Sequence, residues 1–218
     1  MQVDIQISDC EESWQHQLAI YHDYHNKYSR IYSPEAFFRL PYLLEKFAHS
    51  NLSLSELHDI ENYFKTKIYN KEALLHYKEL ILTKAVPFIL SKNEILHKLP
   101  IKHPLNLIIK LSGAMSGGSY NAKENIIKLS PQCVPQNFLP FLITHEFTHI
   151  CVDDDVRKYQ LSHKTKERLV SRICSELLNF DDFNPIRDEQ TDKLITKDNL
   201  LNDYYSVLIN LQKQSSAN

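Results

Sequence analysis

Glycine is almost missing from this chain: three residues in 218, Gly113, Gly117 and Gly118, all inside one six-residue window. A sequence this sparing places glycine where the backbone must turn sharply or come close to something. Cysteine is nearly as scarce. Cys10, Cys133, Cys151 and Cys174 are scattered without a CxxC pair, which excludes a disulfide scaffold and a cysteine zinc knuckle. Reduced thiols in a cytoplasmic setting are the expectation. Neither charge is in surplus: 25 Lys and Arg against 27 Asp and Glu give a formal net charge of -2, so no basic stripe invites nucleic acid or an anionic membrane as partner. Long hydrophobic runs are absent too. Ala85-Val86-Pro87-Phe88-Ile89-Leu90 falls far short of the roughly 20 residues of a membrane span, and Met1-Gln2-Val3-Asp4 does not read as a secretion leader.

What is present can build a sizeable core, with 43% hydrophobic residues in one domain or in two subdomains that share it. The expected class is α+β, mainly helical, with a small antiparallel or mixed sheet. Residues 1–100 read as a helical N-terminal subdomain, and 101–218 as the part that carries the chemistry, closed by a C-terminal helix. In the first part Glu11 to about Tyr28 reads as helix, Ser33-Pro34-Glu35 sets an N-cap before a helical proline, and Ser53-Leu54-Ser55-Glu56 is a capping box opening a helix toward Ile68. A further helix from Lys71 to about Leu90 carries Leu74, Leu80 and Ile81 and is bent or ended by Pro87. The histidines here, His16, His22, His25, His49, His58 and His76, read as surface or packing residues.

The pattern then changes. Pro104 to Leu111 and Asn125 to Ser130 are short β-branched runs, expected as an antiparallel hairpin with a long glycine-bearing connection. Asn137 is the expected N-cap of a helix from Phe138 to about Val152, with Pro140 in its first turn. Asp153, Asp154 and Asp155 read as a solvated turn. Ser162 then caps a helix to about Phe180, whose Leu169, Val170, Ile173, Cys174, Leu177 and Leu178 form one stripe. A last helix from about Lys197 to Gln212 precedes a polar tail, Ser215 to Asn218, expected to be disordered.

The helix from Phe138 contains His145-Glu146-Phe147-Thr148-His149. Positions i and i+4 stack on one helical face, so His145 and His149 can grip a single ion while Glu146 stands at their flank. The pattern predicts a zinc hydrolase site, in which a third protein ligand still leaves room for water and Glu146 takes that water's proton. Glu167, Glu176, His163 and the aspartates from Asp153 to Asp155 are the candidates for the third ligand. At about 100° per residue, Glu167 lies roughly 70° from the centre of the apolar stripe, Glu176 roughly 110° and His163 about 30°. Glu167 is preferred, Glu176 is its rival, and His163 stays open as a ligand or as a donor to the reacting oxygen. Glu167 also sits among Lys164, Lys166 and Arg168, as a surface charge would. To stabilise an oxyanion, Tyr204 and His163 are named ahead of Tyr159, Tyr205 and Arg187.

The order of strand, glycine-bearing segment, second strand, HEFTH helix, loop and glutamate-bearing helix, over about residues 105–180, resembles the zincin metallopeptidases. The likeness is to the gluzincin branch in a minimal form. It implies that His145, His149 and Glu167 hold Zn2+, Glu167 standing eighteen positions after His149, and that Glu146 is the general base. It further implies a zinc-dependent endopeptidase acting on protein or peptide, and a strand edge ahead of the motif helix on which the substrate adds as an antiparallel strand. Two features depart from the family patterns. Gluzincins often place an Asp four residues after the ligand Glu, where this chain has Ser171. The metzincin extension is unmatched, Val152 standing at its glycine and Asp155 at its histidine. The rival readings are a catalytically inactive zincin-like scaffold or regulatory protein that binds a partner protein, and a zinc hydrolase of non-peptide substrates.

Overall fold

The computed structural model describes residues 1–30, 46–47, 51–114, 118–181 and 188–217. The helix expected from Ser33, together with His49, Gly117 and Arg187, lies outside the described residues. The fold is mainly helical α+β.

Four strands form one mixed sheet in the order β1-β2-β4-β3: β1 (Gln2–Ile7), β2 (Asn106–Leu111), β3 (Gly118–Asn121) and β4 (Ile126–Leu129). The first residues are therefore strand, not helix, and β1 runs parallel to β2 with Ile5 opposite Ile109. The expected antiparallel hairpin of the two β-branched runs does not form. β2 and β4 are parallel neighbours, and the glycine-bearing connection itself supplies β3, which folds back antiparallel on the far side of β4. A two-residue turn cannot join parallel strands, so the connection has to travel, and here it makes the edge strand on its way. Alternation along the strands puts Ile5, Leu107, Ile109, Leu111, Ile127 and Leu129 on a buried face, and Asp4, Gln6, Lys110 and Lys128 on the other.

Helix α1 (Cys10–Asp23) is capped by the Asp9 side chain, and α2 (Leu54–Tyr63) opens on the capping box of Ser53 and Glu56 before passing into a π turn at Phe64–Ile68. The expected single helix from Lys71 runs further than Leu90. α3 (Lys71–Leu80) and α4 (Val86–Leu96) are joined by a π turn at Ile81–Ala85, immediately before Pro87. Proline offers no N–H and crowds the carbonyl four residues back, and one wider turn relieves both, so Pro87 interrupts the helix without stopping it.

After a 3-10 turn at Gln136–Phe138, which displaces Asn137 as a cap, α5 (Leu139–Lys158) carries the HEFTH sequence and outruns its expected end. Asp153 to Asp155 are helical, not a solvated turn. Their charges are used where they stand: Asp153 pairs with Arg157 at 2.7 Å, and Asp155 accepts a hydrogen bond from the Tyr204 hydroxyl at 3.2 Å. α6 (His163–Leu178) starts where Ser162 accepts from the Thr165 amide and stops on Asn179 in the left-handed conformation, φ 58°. The expected last helix is broken at Asp203 into α8 (Lys197–Asn202) and α9 (Tyr204–Ala217), preceded by α7 (Glu189–Leu194). The described part of the tail expected to be disordered, Ser215 to Ala217, belongs to α9, and Ser215 Oγ lies 3.0 Å from Thr165 Oγ1.

One buried cluster runs from Ile5, Leu74 and Ile89 through Ile109 and Ile127 to Phe147, Leu169 and Ile173, so residues on both sides of 100 share it. A smaller aromatic cluster, Trp14, Tyr21, Tyr24, Ile60 and Phe64, ties α1 to α2. Arg168, 1% exposed, clasps Asp192 through two nitrogens and so fixes α6 to α7. No described helix is long and apolar enough to cross a membrane.

Candidate metal centre

α5 packs against α6 on one side and against the edge strand β3 on the other, and its two histidines face the seam between them. The Nε2 atoms of His145 and His149 are 3.1 Å apart. Glu167, in the second turn of α6, brings Oε2 to 3.3 Å from His149 Nε2 and 3.8 Å from His145 Nε2. Ligands held roughly 2.0–2.1 Å from a tetrahedral ion stand about 3.3 Å from one another. The three observed separations bracket that value, so the side chains already surround a point that an ion can occupy. Among the described residues no other group of three or more His, Cys, Asp or Glu converges this way.

Two of the charges fit the same reading, and at His145 an ion would have to displace a proton. Burial opposes a charged His145, yet hydrogen bonds to Cys174 and Glu167 outweigh it and carry the pKa up to about 10. Burial takes His149 down to about 4, which keeps that imidazole neutral, the form that binds a metal. Against its own burial, hydrogen bonds from both histidines hold the Glu167 carboxyl far below the usual range, so it is an anion. Glu146 is buried next to this cluster, and burial pushes its pKa up to about 7, where a carboxyl can both take and return a proton near neutral pH. His149 Nδ1 is buried with no hydrogen-bond partner. Ser171, one helical turn after Glu167, is not an Asp that could hold a neighbouring imidazole.

The other candidates fall elsewhere. Glu176 pairs with Arg172 and accepts the Lys197 amide at 3.1 Å, so it fastens the start of α8 and stands apart from His145, His149 and Glu167. Tyr204 is 3% exposed and spent on Asp155, ten residues beyond His145 and thus roughly 15 Å along α5. It does not face the centre. Tyr205 donates to the Pro100 carbonyl at 3.3 Å, and Tyr159 closes α5 beneath Lys158. His163 does belong to the neighbourhood, with Nδ1 3.8 Å from Glu167 Oε1.

Three residues at the centre carried no motif. Tyr120 of β3 stacks on His149, ring centroids 4.8 Å apart and planes 5° from parallel. Lys166, whose side chain is 17% exposed, donates to Glu167 Oε1 at 3.0 Å and to the Tyr120 hydroxyl at 3.4 Å, so it is no surface neighbour of Glu167. Burial works against its charge, and Glu167 and Tyr120 more than restore it. At Gly118 a Cβ would lie 3.0 Å from both Cγ and Oε1 of Glu146, so glycine is what lets the edge strand close on that carboxyl. Glycine scarcity was a usable signal for that approach. Tyr120 and Lys166 had none beyond adjacency to the strand and to Glu167.

Set against protein-family models, curated proteins and solved structures, the chain matches none. The likeness to zincins therefore stands on its own residues and their spacing.

Proposed function

We propose that the protein is a zinc-dependent endopeptidase of the gluzincin kind. The observation that carries this reading is the spacing of His145, His149 and Glu167, 3.1 to 3.8 Å between donor atoms, beside a buried carboxyl. Two imidazoles and one carboxylate are the donor set of hydrolytic zinc sites. Those three residues would hold the ion, which when bound polarises a carbonyl and acidifies the attacking water. Glu146 does the proton work: it takes a proton as the water oxygen bonds to the scissile carbon, and gives it to the amine as the C–N bond breaks. Its pKa of about 7 suits both halves of that task.

The edge strand favours a peptide over a small molecule. β3 is last in the sheet order, its inner side paired with β4, and Tyr120 ties it to a metal-ligating histidine. An extended peptide adding to that edge would be held by main-chain hydrogen bonds across the front of the centre.

The test is zinc per chain, by elemental mass spectrometry on protein purified without added metal, together with cleavage of a mixed peptide library. About one zinc per chain and cleavage within peptides are expected. A chain that stays free of zinc after zinc is supplied would remove this reading and leave the scaffold in its place.

A further inference from the structure

At the sheet edge β3 and the last turns of α5 line a groove of about 460 Å³, with Ser119, Tyr120, Lys123, Lys128, Asp153 and Arg157 in its walls, and Tyr120 is the residue it shares with the neighbourhood of His149. Its charges do not balance. Lys123, Lys128 and Arg157 face Glu124 and Asp153, three against two, in a chain whose own net charge is -2. Asp153 is 7% exposed and already holds Arg157 at 2.7 Å. Glu124 accepts the Asn121 side-chain amide at 2.9 Å, which draws its carboxylate onto the turn after β3. Lys123 and Lys128 are exposed, and neither has an ion-pair partner among the described residues.

The register says where those two ammonium groups can act. Lys128 stands opposite Ser119 across the β4–β3 pair, so the two side chains share a face. Serine is short, and a lysine stem is long enough to reach over it toward the next strand position, about 4.8 Å beyond β3. A strand added at the free edge sends every second side chain to that same face. Lys123, in the turn that leaves β3, meets the end of such a strand. We infer that the groove selects an acidic extended peptide, with carboxylates at alternate positions read by Lys128 and Lys123. This names a substrate class for the proposed peptidase and rests on that reading for its meaning, although binding can be measured without turnover.

The experiment uses Glu146→Gln protein, zinc-loaded and metal-free, and three decapeptides carrying one fluorescent label, in which Thr alternates with Glu, Gln or Lys. Fluorescence anisotropy at low salt should show the Glu peptide bound about tenfold tighter than the Gln peptide and the Lys peptide weakest, with the preference fading as salt rises. Lys123→Gln with Lys128→Gln should erase the preference while leaving far-UV circular dichroism and zinc content unchanged, because both side chains are exposed. Equal binding, undetectable binding of all three, a preference for Lys, or a Glu preference that survives in the double variant would each overturn the inference. Neither lysine touches the metal ligands, so the preference should hold with or without zinc. Failure of the peptidase reading would show separately, as absent zinc or as cleavage indifferent to Glu146.

Discussion

Two places on opposite faces of one sheet take a histidine wholly or partly out of water, and only one of them looks like a place for chemistry. On the α5 face, burial lowers His149 to about 4; on the other, burial and then Lys128 lower His16 to about 4 as well. Depressed basicity is common to both. What differs is company. His16 Nδ1 meets a single hydroxyl, Ser112 Oγ at 3.0 Å, whereas His149 meets a second imidazole and a carboxylate on the same Nε2 side and leaves Nδ1 unpartnered. His97 and His103, stacked 4.0 Å apart, make the same point, since His103 Nε2 donates to the Leu99 carbonyl and no group of three or more metal-binding side chains forms around them among the described residues. Burial gives a histidine its neutral form. Convergence with an anion gives it a use.

The sharpest way to break that contrast is to remove one proton acceptor from each side. Glu146→Gln should lower turnover by about 10²- to 10⁴-fold, about 3–5.5 kcal/mol in the barrier, with zinc content and fold kept. His16→Gln should leave turnover where it was. Steady-state kinetics on a cleaved library peptide decide it, and equal losses in the two variants would mean that the α5 face is no more special than the other.

The second break separates the two glutamates of α6. Glu167→Ala should weaken zinc binding by about 100-fold or more, about 3 kcal/mol, because it removes a ligand and frees both histidines to share their protons differently. Glu176→Ala should leave zinc affinity alone, since its partners are Arg172 and the Lys197 amide. Competition against a chelating dye reads both. A loss confined to Glu176→Ala would reassign the third ligand.

A good part of this centre was legible before any coordinates. Two histidines at i and i+4, a helix capped by Ser162 and a glutamate on the flank of its apolar stripe are local patterns, and local patterns survive folding. The sheet was not local. Val3, Ile5 and Ile7 alternate as a strand should, but nothing near them says that the partner is Asn106–Leu111, about a hundred residues on. The parallel β2–β4 pairing and the edge role of Gly118–Asn121 are decided together by which face must be buried, and a four-residue strand leaves almost no periodicity to read. Asp153 to Asp155 look like a turn because aspartate favours turns; Arg157 and Tyr204, each supplying a partner, keep them helical.

The third prediction sharpens the contrast in a different quantity, stability against pH. His16 has its folded pKa depressed, so below about pH 6.5 the unfolded chain takes a proton that the folded chain refuses until about pH 4. Its contribution to stability is complete above pH 6.5 and drains away as pH falls toward 4, about 2 kcal/mol of it between pH 8 and pH 5. Glu11 and Glu12 on its own helix and Lys110 and Lys128 across the cleft are unchanged in His16→Gln, so they cancel in the comparison. Urea unfolding at the two pH values should show the wild type losing about 2 kcal/mol more than the variant. Parallel losses would mean that water or Glu12 already satisfies the charged ring.

The smallest effect sets two glycines against each other. A Cβ at Gly118 would press on Glu146, 3.0 Å from Cγ and Oε1, while a Cβ at Gly113 would meet the Tyr69 ring at 2.8 Å. Neither glycine has a positive φ, so alanine is permitted by the backbone at both and only the neighbour decides the cost. At Gly118 the neighbour is Glu146, the proposed base, and a buried carboxylate moved by a few tenths of an ångström is still packed but no longer aimed. Gly118→Ala should therefore lower kcat by about tenfold while costing under about 1 kcal/mol of stability. At Gly113 the neighbour is an aromatic ring whose hydroxyl donates to the Ser8 carbonyl, where β1 ends. Gly113→Ala should lower Tm and spare kcat in whatever fraction remains folded. If Gly118→Ala also costs stability and spares kcat, the edge strand does not press on the base, and the scarcity of glycine is a matter of packing alone.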